Sequence, residues 1–101
     1  MHVTWTLPAK YRLKEIFLYY KHHATLQTAN KITTSLLNAT KALSANPKMG
    51  NREKLLQHKK EEYRYLVEGN YKIIYKINSK AIFIIDVFDC RQNPKKLLKN
   101  K

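Results

Sequence analysis

The chain has 101 residues, 44% of them apolar, with only two glycines and three prolines. That suffices for one domain spanning residues 1 to 101 around a single core, and it excludes both a large multidomain enzyme and a low-complexity, disordered chain. Lysine and arginine outnumber aspartate and glutamate 20 to 7, a formal charge of +13 shared almost evenly between the two halves, and so dense a positive surface invites an anionic partner.

The first element is read from alternation: His2, Thr4 and Thr6 interleave with Val3, Trp5 and Leu7, the period of a half-buried strand. Pro8 suits the first turn of a helix, and Ala9, Leu13, Ile16, Phe17 and Tyr20 then fall on one helical face, predicting a helix over about 8 to 23. Thr25 or Thr28 can cap a second helix with the stripe Ala29, Ile32, Leu36, Ala39 and Leu43, ended by Asn46 and Pro47. Residues 47 to 61 read as a loop, with a helical turn near Lys54 to His58. Tyr63 to Glu68, Gly69-Asn70 and Tyr71 to Ile77 form the pattern of a hairpin with a two-residue turn. After Asn78-Ser79-Lys80 comes Ala81 to Phe88, apolar on both faces until Asp86, as in a strand covered on both sides. The expected architecture is α+β: an N-terminal strand, a helical hairpin, then a three-stranded antiparallel meander with the helices on one face.

No apolar run approaches the roughly 20 residues needed to cross a bilayer, and no secretory h-region opens the chain. The single cysteine, Cys90, forms neither an internal disulfide nor a cysteine-based zinc cluster and suits a reducing compartment. The expected location is therefore cytoplasmic. His22 and His23 end the first helix without another ligand at metal spacing, and Gly50 and Gly69 make no phosphate-binding loop, so no cofactor or metal is expected. Asp86 and Asp89 are expected to orient Arg91, as a structural ion pair in preference to a catalytic dyad. Tyr63, Tyr65, Tyr71 and Tyr75 are placed either to stack on bases or to pack across strands.

The order of elements, the loop Asn46-Pro47-Lys48-Met49-Gly50, the strand opening Tyr63-Arg64, the hairpin Gly69-Asn70-Tyr71-Lys72-Ile73-Ile74-Tyr75 and the ending Val87-Phe88-Asp89-Cys90-Arg91-Gln92-Asn93-Pro94 resemble the RelE/ParE superfamily of type II toxin-antitoxin toxins. The resemblance covers nearly the whole chain. It implies one of two mechanisms: RelE-like members cut mRNA on the ribosome, whereas ParE-like members share the fold, lack the catalytic residues and poison DNA gyrase.

Cleavage by 2′-hydroxyl attack needs a proton acceptor, a proton donor for the leaving oxygen and cations for the charged phosphorane. By the resemblance, Lys72 takes the place of the hairpin arginine, Arg64 that of the strand-opening lysine, and Arg91 that of the basic residue after the last strand. A second lysine is replaced by Leu66 and the C-terminal tyrosine by Leu97, while Asn93-Pro94 stands where another branch has His-Tyr. Both catalytic sets are incomplete, so the ParE-like branch is favoured. A two-residue turn at Gly69-Asn70 would also put Arg64 and Lys72 on opposite faces of the sheet. If the chain is an RNase, Lys72, Arg64, Arg91 and Tyr71 are its candidates; Arg64, Lys72, Lys76, Arg91 and Asn93 are the candidates for binding a target or antitoxin. The resemblance thus implies a gyrase-directed toxin held by an acidic antitoxin. The alternatives are a ribosome-dependent mRNA endonuclease, and a degenerate toxin kept as an antitoxin- or nucleic-acid-binding module.

Overall fold

The computed structural model describes residues 1–91. Strand β1 (His2–Trp5) is followed by helices α1 (Leu7–His23) and α2 (Leu26–Lys41), then by strands β2 (Asn51–Arg52), β3 (Glu62–Glu68), β4 (Tyr71–Ile77) and β5 (Ala81–Asp89). The strands form one sheet in the order β1-β5-β4-β3-β2, with β1 parallel to β5 and the other pairs antiparallel. Fold class, helical hairpin and meander are as expected. Among the described residues no helix is long and apolar enough to cross a membrane.

Two elements differ. β1 stops at Trp5 because Thr6 turns the chain: its backbone and side chain both donate to Ile84 O, at 3.0 and 2.8 Å. Leu7 therefore opens α1, on the solvent side. The segment read as loop contains β2, whose Asn51 and Arg52 pair with Tyr65 and Arg64, while the helical turn expected near Lys54 is present as a 3-10 turn at Lys54–Leu56. Two polar residues carry no alternation, so the short strand left no periodic signal.

The helices cover one face of the sheet. Ala9, Ile16, Leu36 and Leu43 are buried there against Ile73, Tyr75, Ile82, Ile84 and Val87, each large apolar side chain contributing about 1.5–3 kcal/mol on burial. Thr25 caps α2, its side chain accepting from Thr28 N at 3.0 Å. On the second face, Leu56 from the 3-10 turn is buried with Ile74 and Phe88, so the two-sided burial expected of the last strand is met. The hairpin turn places Gly69 at φ +59°; glycine first in a two-residue turn matches type II′, whose twist suits the flanking strands.

β5 carries an irregularity in its pairing with β4. Its register with β4 shifts between Ile74 and Tyr75, leaving Ile85 opposite no residue. Beyond it Asp86, nearly buried, meets Arg12 of α1, with Nε 3.0 Å from Oδ1. Asp86 therefore anchors the helix to the sheet: among the described residues it forms an ion pair with Arg12, where the sequence had suggested Arg91. Among the described residues the carboxylate that pairs with Arg91 is that of Asp89.

Candidate functional site

Arg64 lies across from Tyr75, on the helix-facing side, and Lys72 lies across from Val67, on the other side. The opposite-face placement expected from the turn is thus observed, because side chains alternate strictly along a regular ladder. Each side has its own use for its cation.

Tyr75 is fully buried, and its hydroxyl accepts from Gly50 N at 3.0 Å while donating to Pro47 O at 2.8 Å. A Cβ on Gly50 would stand 2.6 Å from that hydroxyl and 2.5 Å from Tyr65 O, so only glycine fits. Arg64 closes the same loop: its Nη1 donates to Gly50 O at 2.6 Å, and its Nε pairs with Glu62. The hydrogen bond from Arg64 holds the Glu62 carboxyl below its ordinary value. The Pro47 to Gly50 segment is therefore a loop clamped by Tyr75 and Arg64.

On the second face, Lys72 Nζ stands 2.7 Å from Glu53 Oε1 and 4.1 Å from the Tyr65 ring centre, combining an ion pair with a cation-π contact. Glu53 is 3% exposed, and its other carboxylate oxygen accepts from Leu55 N at 3.2 Å. Lys76 lies on the same face, 3.3 Å from Glu61 and over the Phe83 ring. The apolar stems of both lysines cover the sheet while the charges meet carboxylates.

Arg91 and Tyr71 meet at a third place, the end of β5. Arg91 grips Asp89 with Nε at 3.0 Å and Nη2 at 2.8 Å, and that hydrogen bonding holds the Asp89 carboxyl below its ordinary value. Tyr71 pairs with Asp89 across the strands, and its hydroxyl donates to the Tyr20 hydroxyl at 3.3 Å. Burial, then that hydrogen bond, pushes Tyr71 well above the ordinary tyrosine range, which makes it a poor proton acceptor at neutral pH. Asn93, Pro94, Leu97 and Leu98 lie outside the described residues.

The candidates thus occupy three separate places, and each of the four described cations is tied to a carboxylate. Sequence reasoning missed those partners, Glu53, Glu61 and Glu62, because they fall in or beside the segment read as loop. Of the four sheet tyrosines, Tyr71 and Tyr75 are buried on the helix side, while Tyr63 and Tyr65 pack around Ile74 and Phe88 on the other. Packing across strands accounts for all four.

Compared with known proteins, residues 3–94 match the family described as ParE toxin of type II toxin-antitoxin system, parDE. A solved chain from the chromosomal ParDE TA system of P. aeruginosa superposes with a TM-score of 0.74 at 19% identity, covering 88% of this chain and 95% of that one. At that identity the likeness is one of fold. A search of curated proteins gave no match.

Proposed function

The chain belongs to the ParE toxin family of type II toxin-antitoxin systems, and we propose that it arrests growth by binding DNA gyrase, without cleaving RNA, and is neutralised by an acidic antitoxin. The observation that carries this reading is the fate of the cations. Lys72 is bound to Glu53 on one face, Arg64 to Glu62 and the Gly50 carbonyl on the other, and Arg91 to Asp89 at the strand end. No two of these can converge on one scissile phosphate without breaking a structural contact.

The test uses purified protein in two reactions. Gyrase supercoiling of relaxed plasmid should be inhibited, and mRNA on programmed ribosomes should stay intact. Ribosome-dependent cuts with unaffected supercoiling would overturn the proposal in favour of an endonuclease. The antitoxin half rests on the charge of +13 and predicts that the complex weakens as salt rises, because surface charges are screened.

A further inference from the structure

Helix α2 leaves a face uncovered that differs in charge from the rest of the chain. Of its 16 residues only Lys31 and Lys41 are charged, whereas α1 carries Lys10, Arg12, Lys14, Glu15 and Lys21. Its outward side is otherwise neutral: Gln27, Asn30, Thr34 and Asn38 are exposed, beside Leu26 and Leu37 at 53% and 39%. Between this helix and the end of β3 runs an open groove, lined by Asn30, Lys31, Thr34, Ser35 and Asn38 of the helix and by Glu68 of the strand. Strand alternation puts Glu68 on the helix side with Arg64 and Leu66. The sequence has seven carboxylate side chains. Six pair with cations of this chain; Glu68 accepts from Ser35 Oγ and meets no cation among the described residues. Lys31 lines the same groove and, among the described residues, forms no ion pair.

The groove therefore offers one acid and one base, each in want of a charged partner, and that makes it self-complementary: under a twofold axis each copy supplies both members of a pair. Thr34 lies at the middle of the exposed arc of α2. A twofold axis beside it, perpendicular to the helix, sets the two α2 helices antiparallel and keeps the Lys31–Glu68 flank of one copy over the same flank of the other. At ~1.5 Å per residue, the reversal brings Lys31 of each copy to within about 3 Å, along the helix axis, of the level of Ser35 and its neighbour Glu68 in the other. A parallel arrangement would lay the Lys31 flank on the Leu26–Leu37 flank and leave both charges unmatched. Each copy carries +13, so two copies repel over most of their surfaces, and this face is where the local charge balances. We infer that the outer face of α2 is a self-association surface, on which two copies join through reciprocal Lys31–Glu68 pairs, with Leu26 and Leu37 of both copies along the opposite flank. A single helix presents a small interface, so the dimer is weak and forms as concentration rises. The inference rests on neither the gyrase reading nor the antitoxin reading.

Sedimentation velocity of the full chain, over roughly 10 μM to 1 mM, should show monomer passing into dimer. Lys31→Glu alone and Glu68→Lys alone each set like charges against one another twice per dimer, and each should weaken association roughly tenfold or more. An equimolar mixture of the two variants should dimerise as the parent does, because each supplies the charge that the other lacks. Such recovery requires both variants to be folded and the two charges to meet across copies, so it separates the interface from a defect within one chain. A chain that stays monomeric throughout the range would overturn the inference. So would single variants that dimerise like the parent, or a mixture no tighter than its components. A dimer lost through Leu18→Glu and kept by both charge variants would place the contact on α1 and overturn it as well.

Discussion

If the Lys72–Glu53 pair holds the fold together, its two members must be energetically coupled. Glu53 is 3% exposed and Lys72 keeps 25% of its side-chain surface in water, so removing each charge has a different cost. Lys72→Met strands a buried carboxylate whose Oε1, among the described residues, meets no donor other than that ammonium; breaking such a pair costs about 3–5 kcal/mol. Glu53→Gln keeps an oxygen for Leu55 N and leaves a lysine able to swing toward solvent, so about 1–2 kcal/mol is expected. The double variant buries no charge at all and should lose less than the sum, with a coupling of about 2 kcal/mol. Urea unfolding followed by the fluorescence of Trp5, the single tryptophan, measures all four corners of the cycle. Additive losses, or a Lys72→Met variant as stable as the parent, would refute the claim that this lysine is structural. A stable Lys72→Met variant that no longer arrests growth would make Lys72 a functional residue.

The loop clamp makes its own predictions. Tyr75→Phe strips Gly50 N and Pro47 O of their partner and should cost about 1–3 kcal/mol in the same urea assay, and Gly50→Ala should cost more because its Cβ meets the Tyr65 carbonyl. Stability should also fall at both ends of the pH range. Hydrogen bonds from Arg64 and Arg91 hold Glu62 and Asp89 below their ordinary values; folding then favours the ionised forms, and the stabilisation present above about pH 4.5 is lost as pH drops further. Burial raises Tyr71 and Tyr75, so the protonated forms favour folding and stability is lost as pH rises past about 10. In an ultraviolet titration of the folded chain, Tyr71→Phe and Tyr75→Phe should each remove a late step and leave the early ones; loss of an early step would contradict their burial.

The helices, the hairpin register and the separation of Arg64 from Lys72 were legible in the sequence, because apolar period and turn residues fix them locally. Gly69-Asn70 alone sets which residues of β3 and β4 face the helices. What was not legible depends on contacts between segments distant in the chain. Glu53 belongs to a stretch that reads as polar loop, and nothing nearby in sequence says that it turns inward to Lys72, 19 positions on. Asp86 was read with Arg91 because they are close in the chain, whereas the arginine it meets among the described residues is Arg12 of α1, 74 positions away, which no local pattern signals. Gly50 was noticed as part of a motif, but its reason, the approach of Tyr75 and Tyr65, appears only when the sheet is assembled.

The most direct test of the central claim is a brief, tightly controlled induction in a bacterial host, with growth, plasmid topology and primer extension on an abundant translated mRNA followed together. The account predicts growth arrest with plasmids losing negative supercoiling and mRNA left whole. Cuts within codons, with supercoiling unchanged, would contradict it and would mean that the ion pairs at Lys72, Arg64 and Arg91 open on the ribosome.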